Sequence, residues 1–277
     1  MSGISRIYKA ANFHFNRNAE RILSRWMIRS GWIPSGSSPL NDSQLSASFG
    51  YDEEREIKNA VRVVKDHTMT TFQRLASLWL QVRYLDRYSV TGSMVECGVW
   101  KGGAAGLMAL AHLQSHRPPL RELHLFDSWE GLPEPGADVD GAVAKAYANG
   151  RASGSLTSIG QCVSSREEAA ELLERKIGYP RELLHYYQGW FQDTVAKGAD
   201  EAGDIALLRL DGDWYESTRL CIEQFYPRVR KYGVVIIDDY GYWEGCRRAV
   251  DEYIAKLPEP VLLSHVDSSC RYWIKST

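Results

Sequence analysis

Residues 207–218 read LLRLDGDWYEST, and residues 233–240 read GVVIIDDY. With Ile205 and Ala206 before it, the first is an apolar run interrupted by one arginine, and it ends in Asp211 and Asp213. The second ends in Asp238 and Asp239. Short apolar runs bounded by turn-forming residues read as buried strands. Two such strands, each finishing in paired carboxylates, raise the question of what balances so much like charge at one end of a sheet.

Outward from these two, further apolar runs lie at 94–97 (MVEC), 123–126 (LHLF) and 184–187 (LHYY). Helical patterns at about 103–115, 165–176, 215–230 and 244–256 separate most of the runs. Strands alternating with helices imply right-handed crossovers and a parallel sheet. The runs at 261–263 (VLL) and 271–274 (RYWI) have no helix between them, so they are expected to pair as an antiparallel hairpin. The expected fold is α/β: a doubly wound, mostly parallel seven-stranded sheet, Rossmann-like, with an antiparallel C-terminal edge hairpin and N-terminal helices. Phe72, Leu75, Leu78, Trp79, Val82 and Leu85 predict a core-facing helix over 70–88.

Arg17, Arg21, Arg25 and Arg29 recur at four-residue intervals, with Ile22, Leu23, Trp26 and Met27 on another face, so 17–31 reads as an amphipathic helix. It suits a docked or homo-oligomer contact more than a membrane surface or an anionic partner. Residues 32–52 read as a loop. The chain thus divides into an N-terminal helical extension and linker, 1–60, and a main domain, 61–277. Residues 129–163 show no period and hold six glycines, which suggests a lid or insertion loop.

Composition narrows the function classes. The 277 residues are 44% hydrophobic and 25% charged, which fits one α/β domain with an appendage. A net charge of −2 argues against a nucleic-acid partner. The five cysteines are odd in number and show no C-x-x-C spacing, as expected of reduced thiols rather than a disulfide framework or zinc site. No apolar run approaches the ~18 residues of a transmembrane segment. With no apolar signal core at the N-terminus, a cytoplasmic location is expected.

Ligands of an open parallel sheet bind beyond the carboxyl ends of its strands. After the first strand comes VECGVWKGG (95–103), whose glycines let backbone approach a ligand or simply make a tight turn into a helix. The spacing is not the G-x-G-x-x-G of nicotinamide and flavin enzymes, which disfavours a dehydrogenase. The second strand ends in LFDSWEGLP (125–133). Asp127 there suits either a ribose diol or a helix cap. Asp211 and Asp213 share a face if the extended backbone persists. Four carboxylates in one crevice need protons or a cation. Oxygen ligands without His or Cys suit Mg²⁺, or Ca²⁺ or Mn²⁺. One carboxylate left off the metal would serve as a general base.

Taken in order, VECGVWKGG, LFDSWEGLP, GWFQDT (189–194), LLRLDGDWYEST, GVVIIDDY and GCRRAVDEY (245–253) resemble the macrocin O-methyltransferase (TylF) family over about residues 65–275. The resemblance implies an S-adenosylmethionine- and Mg²⁺-dependent enzyme of the class I methyltransferase fold, one that methylates a sugar hydroxyl of a natural product or glycoconjugate. It implies Asp211, Asp238 and Asp239 as metal ligands and Asp213 as the general base. Glu96 and Gly98 would line the methionine end of the cofactor, and Asp127 and Ser128 its ribose. Gly189 and Trp190 would lie near the adenine. Thr68 and Met69, in HTMTTFQR (67–74), resemble the segment that closes over the cofactor. Residues before about 55 and the glycine-rich stretch 136–160 depart from the family pattern, and both are where acceptor recognition would sit. Two alternatives stand beside this reading: a catechol-type O-methyltransferase acting on a phenolic diol, and a non-catalytic S-adenosylmethionine-binding module.

Overall fold

Both faces of a parallel sheet are covered, so its strands read as nearly continuous apolar runs. Five such runs become the parallel strands β1 (Ser93–Cys97), β2 (Leu123–Asp127), β3 (Leu184–Gln188), β4 (Ile205–Leu210) and β5 (Val229–Ile237). The computed structural model describes residue 40 and residues 45–116 and 119–277; the helix expected at 17–31 lies outside them. β7 (Arg271–Ile274) runs antiparallel to β5, and the two-residue β6 (Ser264–His265) runs antiparallel to β7. The order is β3-β2-β1-β4-β5-β7-β6. Among the described residues no helix is long and apolar enough to cross a membrane.

Period-two alternation sorts the strand side chains into two cores. Met94, Leu207 and Ile236 join one core with helices α1 (Glu54–Val64), α2 (Phe72–Arg87) and α3 (Gly103–Gln114). Val95, Leu208, Val235 and Ile237 join the other, with α6 (Phe191–Ala202), α7 (Tyr215–Phe225) and α8 (Glu244–Ile254). Between β2 and β3 lie α4 (Gly141–Tyr147) and α5 (Arg166–Ala170), the latter continuing into a π-helical turn over Glu171–Ile177.

Several expectations need correction. The edge hairpin exists, but 261–263 stay out of the sheet and the strand is Ser264–His265. The α-helix expected to reach 230 stops at Phe225 and gives way to a 3₁₀ turn over Tyr226–Arg228, where Pro227 lacks the amide hydrogen that would continue the α-helical ladder. β5 accordingly begins at Val229. The helices α1 and α6 are not among the expected elements. In α6 the centre is Gly198, where a Cβ would come 2.3 Å from the Phe126 ring; close packing on β2 overrides helix propensity. Residues 129–163 are not structureless. They carry α4 and a bridge between Gly136 and Ser153. Trp214 Nε1 donates to Pro133 O (2.9 Å), and Asp140 accepts from the amides of Tyr215 and Gly136 (both 2.6 Å), which pins the segment to the start of α7.

Strand order reverses between β1 and β4, so the crevice opens beyond their carboxyl ends. The ladder continues past the strands: Asp211 N donates to Cys97 O (2.8 Å) and Asp238 N to Leu210 O (2.9 Å). Gly98 sits at φ +90°, and a Cβ on it would meet Asp211 O at 2.0 Å. We expect Gly98→Ala to cost about 3 kcal/mol or more in urea unfolding, the range of a severe steric and backbone conflict. Gly160, at φ +77° with nothing within 4 Å of an added Cβ, controls for backbone strain alone, so Gly160→Ala should cost only about 1–2 kcal/mol.

Candidate active site

The site is built around the one arginine in β4. Arg209 is 3% exposed, and its guanidinium meets Glu96 Oε1 (2.7 Å), Asp211 Oδ2 (2.9 Å) and Asp238 Oδ1 (2.7 Å). A second arginine, Arg74 in the first turn of α2, reaches the other oxygen of Asp238 (2.5 Å) and ties it to Asp267 (2.7 Å). Part of the charge at the strand tips is therefore balanced internally. The planar guanidinium suits this, because it donates along several fixed directions at once.

The balance is incomplete. Besides Asp267, the four strand-tip aspartates and Glu96 face the two guanidinium groups. Burial favours the neutral form of Asp238, but Arg209 and Arg74 outweigh it and hold that carboxyl below its ordinary range. The others go the opposite way. Burial, then the neighbouring Asp238, pushes Asp211 up, against the pull of Arg209. Burial with Asp213 and Asp211 nearby pushes Asp239 well up. Asp213 is pushed up to about 8 by burial and Asp211, against a hydrogen bond from Trp243. Such a cluster holds protons unless a cation replaces them. Oxygen atoms of Asp211, Asp238 and Asp239 lie within 4.8 Å of one another, and an all-oxygen donor set of this kind fits a hard divalent ion. Both Asp238 oxygens already accept from arginine, so an ion there would use their remaining lone pairs.

Asp213 reaches the cluster by a route that alternation did not foresee. The extended backbone ends at Leu210, and Asp213 adopts φ +58°. This left-handed turn, rather than strand periodicity, brings its carboxylate toward Asp211 and Asp239. Trp243 Nε1 donates to Asp213 Oδ1 (2.6 Å), which leaves Oδ2 free of that contact.

Beyond β1 and β2 the cleft is lined by a second set of residues. Glu96 is 1% exposed, and its Oε2 has no hydrogen-bond partner although the residue lines the cleft. An orphaned buried acceptor beside a cavity marks where a donor such as an ammonium group fits. Asp127 Oδ2 accepts from the amides of Val99 (2.7 Å) and Trp100 (2.8 Å), and Oδ1 from that of Trp129 (2.6 Å). Its first task is thus to fix the glycine-rich turn. Ser128 donates to Gly131 O (3.1 Å). Thr68, Met69, Gly98, Asp127, Ser128 and Trp190 line the same cleft as the acidic residues. Gly189 does not; its amide bonds Asp127 O (3.0 Å) at φ +141°.

Sequence reasoning missed Arg74, Arg209 and the cleft-lining Tyr147, Leu132 and Phe191; of the tryptophans that could build an aromatic slot or simply pack (Trp100, Trp129, Trp190, Trp214 and Trp243), Trp100, Trp190 and Trp243 line the cleft. For Arg209 the signal was present: a lone charge in an otherwise apolar strand is rarely buried without partners. Arg74 and Tyr147 come from distant segments and carried none.

The sequence and the fold have counterparts. Residues 39–275 match the family described as macrocin-O-methyltransferase (TylF). The chain is 36% identical over 207 residues to 8-demethyl-8-(2,3-dimethoxy-alpha-L-rhamnosyl)-tetracenomycin-C 4'-O-methyltransferase of Streptomyces olivaceus, covering 75% of each chain. It is 34% identical, again over 75% of each, to demethyldecarbamoylnovobiocin O-methyltransferase of Streptomyces niveus. The solved structure of the O-methyltransferase NovP superposes with a TM-score of 0.64 at 30% identity, over 93% of this chain and 100% of that one.

Burial pushes the Glu96 carboxyl from 4.5 up to about 8, against Arg209. The folded state then keeps a proton that the unfolded chain releases. Stability from this group is full below about pH 4.5 and is lost as pH rises through about 8. In chelator-dialysed protein, Glu96→Gln should therefore gain on the wild type by up to about 1.4 kcal/mol per pH unit between about pH 5 and pH 8. Parallel urea-unfolding profiles across that window would contradict a buried proton at Glu96.

Proposed function

The chain belongs to the macrocin O-methyltransferase (TylF) family and has the class I methyltransferase fold, and from that premise we propose that it transfers a methyl group from S-adenosylmethionine to a sugar hydroxyl of a natural product or glycoconjugate, with Mg²⁺ at the aspartate cluster. The observation that carries this reading is the division of labour among the aspartates. Three offer converging oxygens, while Asp213 stands beside them on its own turn, aligned by Trp243. Family membership sets aside the non-catalytic binding module.

S-adenosylmethionine supplies an electrophilic methyl on a sulfonium. Glu96 Oε2 would accept from its ammonium, and Asp127 and Ser128 would face its ribose. Trp190 would lie near the adenine, with Gly189 shaping the turn behind it. Thr68 and Met69 would close over the bound molecule and exclude water. Asp211, Asp238 and Asp239 would hold Mg²⁺, which supplies Lewis acidity that lowers the pKa of a bound hydroxyl. Asp213 would take the hydroxyl proton at the carboxylate oxygen not fixed by Trp243. Burial raises the pKa of the Asp213 carboxyl, which makes it a better proton acceptor than an exposed aspartate. Tyr147, Phe191, Leu132 and Trp243 form the apolar wall of the cleft, against which the carbon face of a sugar ring packs.

The same wall would take a flat phenol, so an acceptor panel separates the two chemistries. We expect turnover with glycosides carrying vicinal hydroxyls and little with catechols. Chelation by EDTA should abolish it and added Mg²⁺ should restore it. Activity indifferent to chelation, or confined to catechols, would sink this reading. Asp213→Asn should keep the melting temperature to within a few degrees while lowering kcat by ~10²–10⁴-fold, the usual range for general-base assistance. Full turnover in that variant would remove Asp213 from the proton-transfer role.

A further inference from the structure

A protein cation stands among the carboxylates that converge at the strand tips. Arg74 Nη1 lies 2.5 Å from Asp238 Oδ2 and 3.9 Å from Asp239 Oδ1. Arg74 lines the cleft together with those aspartates and keeps 15% of its side chain exposed. Arg209 holds the other oxygen, Asp238 Oδ1, and it also bonds Glu96 and Asp211. The two arginines are therefore not equivalent. Arg209 is walled into β4 with three carboxylates around it, whereas Arg74 reaches in from the first turn of α2.

Arg74 also has a second carboxylate to rest on. Its Nε donates to Asp267 Oδ2 (2.7 Å). Thr71, the N-cap of α2, accepts from Arg74 N (3.3 Å) and donates to the same Asp267 oxygen (3.3 Å), so the arginine backbone and that carboxylate are joined. Asp267 Oδ1 accepts from the amides of Ser269 (2.9 Å) and Cys270 (2.8 Å), which fixes the carboxylate in its turn. A guanidinium pairs with one carboxylate through two parallel N–H groups, so Asp267 alone is able to hold it.

Resting on the reading of the aspartates as an ion site, we propose that Arg74 is an internal counter-ion that competes with the divalent cation for Asp238 Oδ2, and that Asp267 receives the guanidinium when the cation takes that oxygen. Oδ2 keeps a spare lone pair, but two cations meeting through one oxygen repel each other strongly in a poorly screened cleft. Of the two arginines, Arg74 is the one with another partner to go to. It is a positioning residue, because it sets how tightly the site holds its ion and acts through Asp238 rather than on the acceptor. The contrary role, a support that orients a ligating carboxylate, has the opposite sign: losing such a support weakens an ion site by ~10–100-fold.

The test titrates Mn²⁺, which suits the same oxygen ligands and is counted by electron paramagnetic resonance, into full-length protein stripped with chelator. Wild type should bind it, and Asp239→Asn should bind it far more weakly. Before Mn²⁺ is added, Arg74→Gln should melt at a lower temperature than wild type. It should nevertheless bind Mn²⁺ at least ~5-fold more tightly, the low end of coupling between linked sites. A merely structural residue would lower stability and affinity together. Asp267→Asn, which keeps an oxygen for the Ser269 and Cys270 amides, should weaken Mn²⁺ binding in the wild-type background and leave it unchanged in Arg74→Gln, because its effect passes through Arg74. Wild type that binds no Mn²⁺, or full binding in Asp239→Asn, would bring down the ion site and this inference with it. With those two as expected, an affinity unchanged or reduced in Arg74→Gln, or an equal effect of Asp267→Asn in both backgrounds, would overturn this inference alone.

Discussion

One buried guanidinium joins the strand tips. Arg209 lies within the apolar β4 and contacts carboxylates from β1, from the end of β4 and from the end of β5. A buried charge is costly unless its hydrogen-bonding directions are filled, and removing one partner leaves the rest exposed to that cost. Arg209 therefore constrains the relative positions of Glu96, Asp211 and Asp238 more tightly than packing alone would. Arg74 extends the constraint to α2 and to the turn before β7. The glycine-rich turn meets the same point, since Gly98 lies against the Asp211 backbone.

The chemistry of the cleft follows from what the two arginines leave undone. They hold Asp238 as an anion, and they leave Asp211, Asp213 and Asp239 with more negative charge than the surroundings balance. A site in that condition attracts a cation, and it also raises the basicity of the one aspartate outside the converging set. Charge excess and base strength are thus two consequences of a single arrangement, set by backbone geometry at the ends of β4 and β5.

Much of this was legible in the residues. The apolar runs gave four of the five parallel strands to within a residue, since a strand buried on both faces admits little else; β5 begins four residues before its apolar run, in a stretch whose Arg230, Lys231 and Tyr232 are exposed. The aspartates were legible because four acids at two strand ends have no structural explanation in common. What escaped notice depended on tertiary contacts. Helix α6 shows a weak apolar pattern, and its glycine answers to Phe126 on β2. The left-handed turn at Asp213 has no glycine or asparagine at that position to announce it. Arg209 was visible, but its partners are 113 residues upstream and 29 downstream. The end of the helix before β5 is different, because it turns on Pro227, a signal written in the local sequence.

The anchoring of the segment between β2 and β3 bears on how acceptor choice can diversify. Pro133 and Asp140 are bonded to Trp214 and Tyr215, the residues that immediately follow Asp213. An insertion or deletion near either anchor would tug on the residue proposed to remove the proton. Evolution of new substrate preference on this scaffold is therefore channelled into side-chain replacement along the inner rim and into length changes between the anchors and beyond them, where the chain can be rewritten without mistuning the reaction.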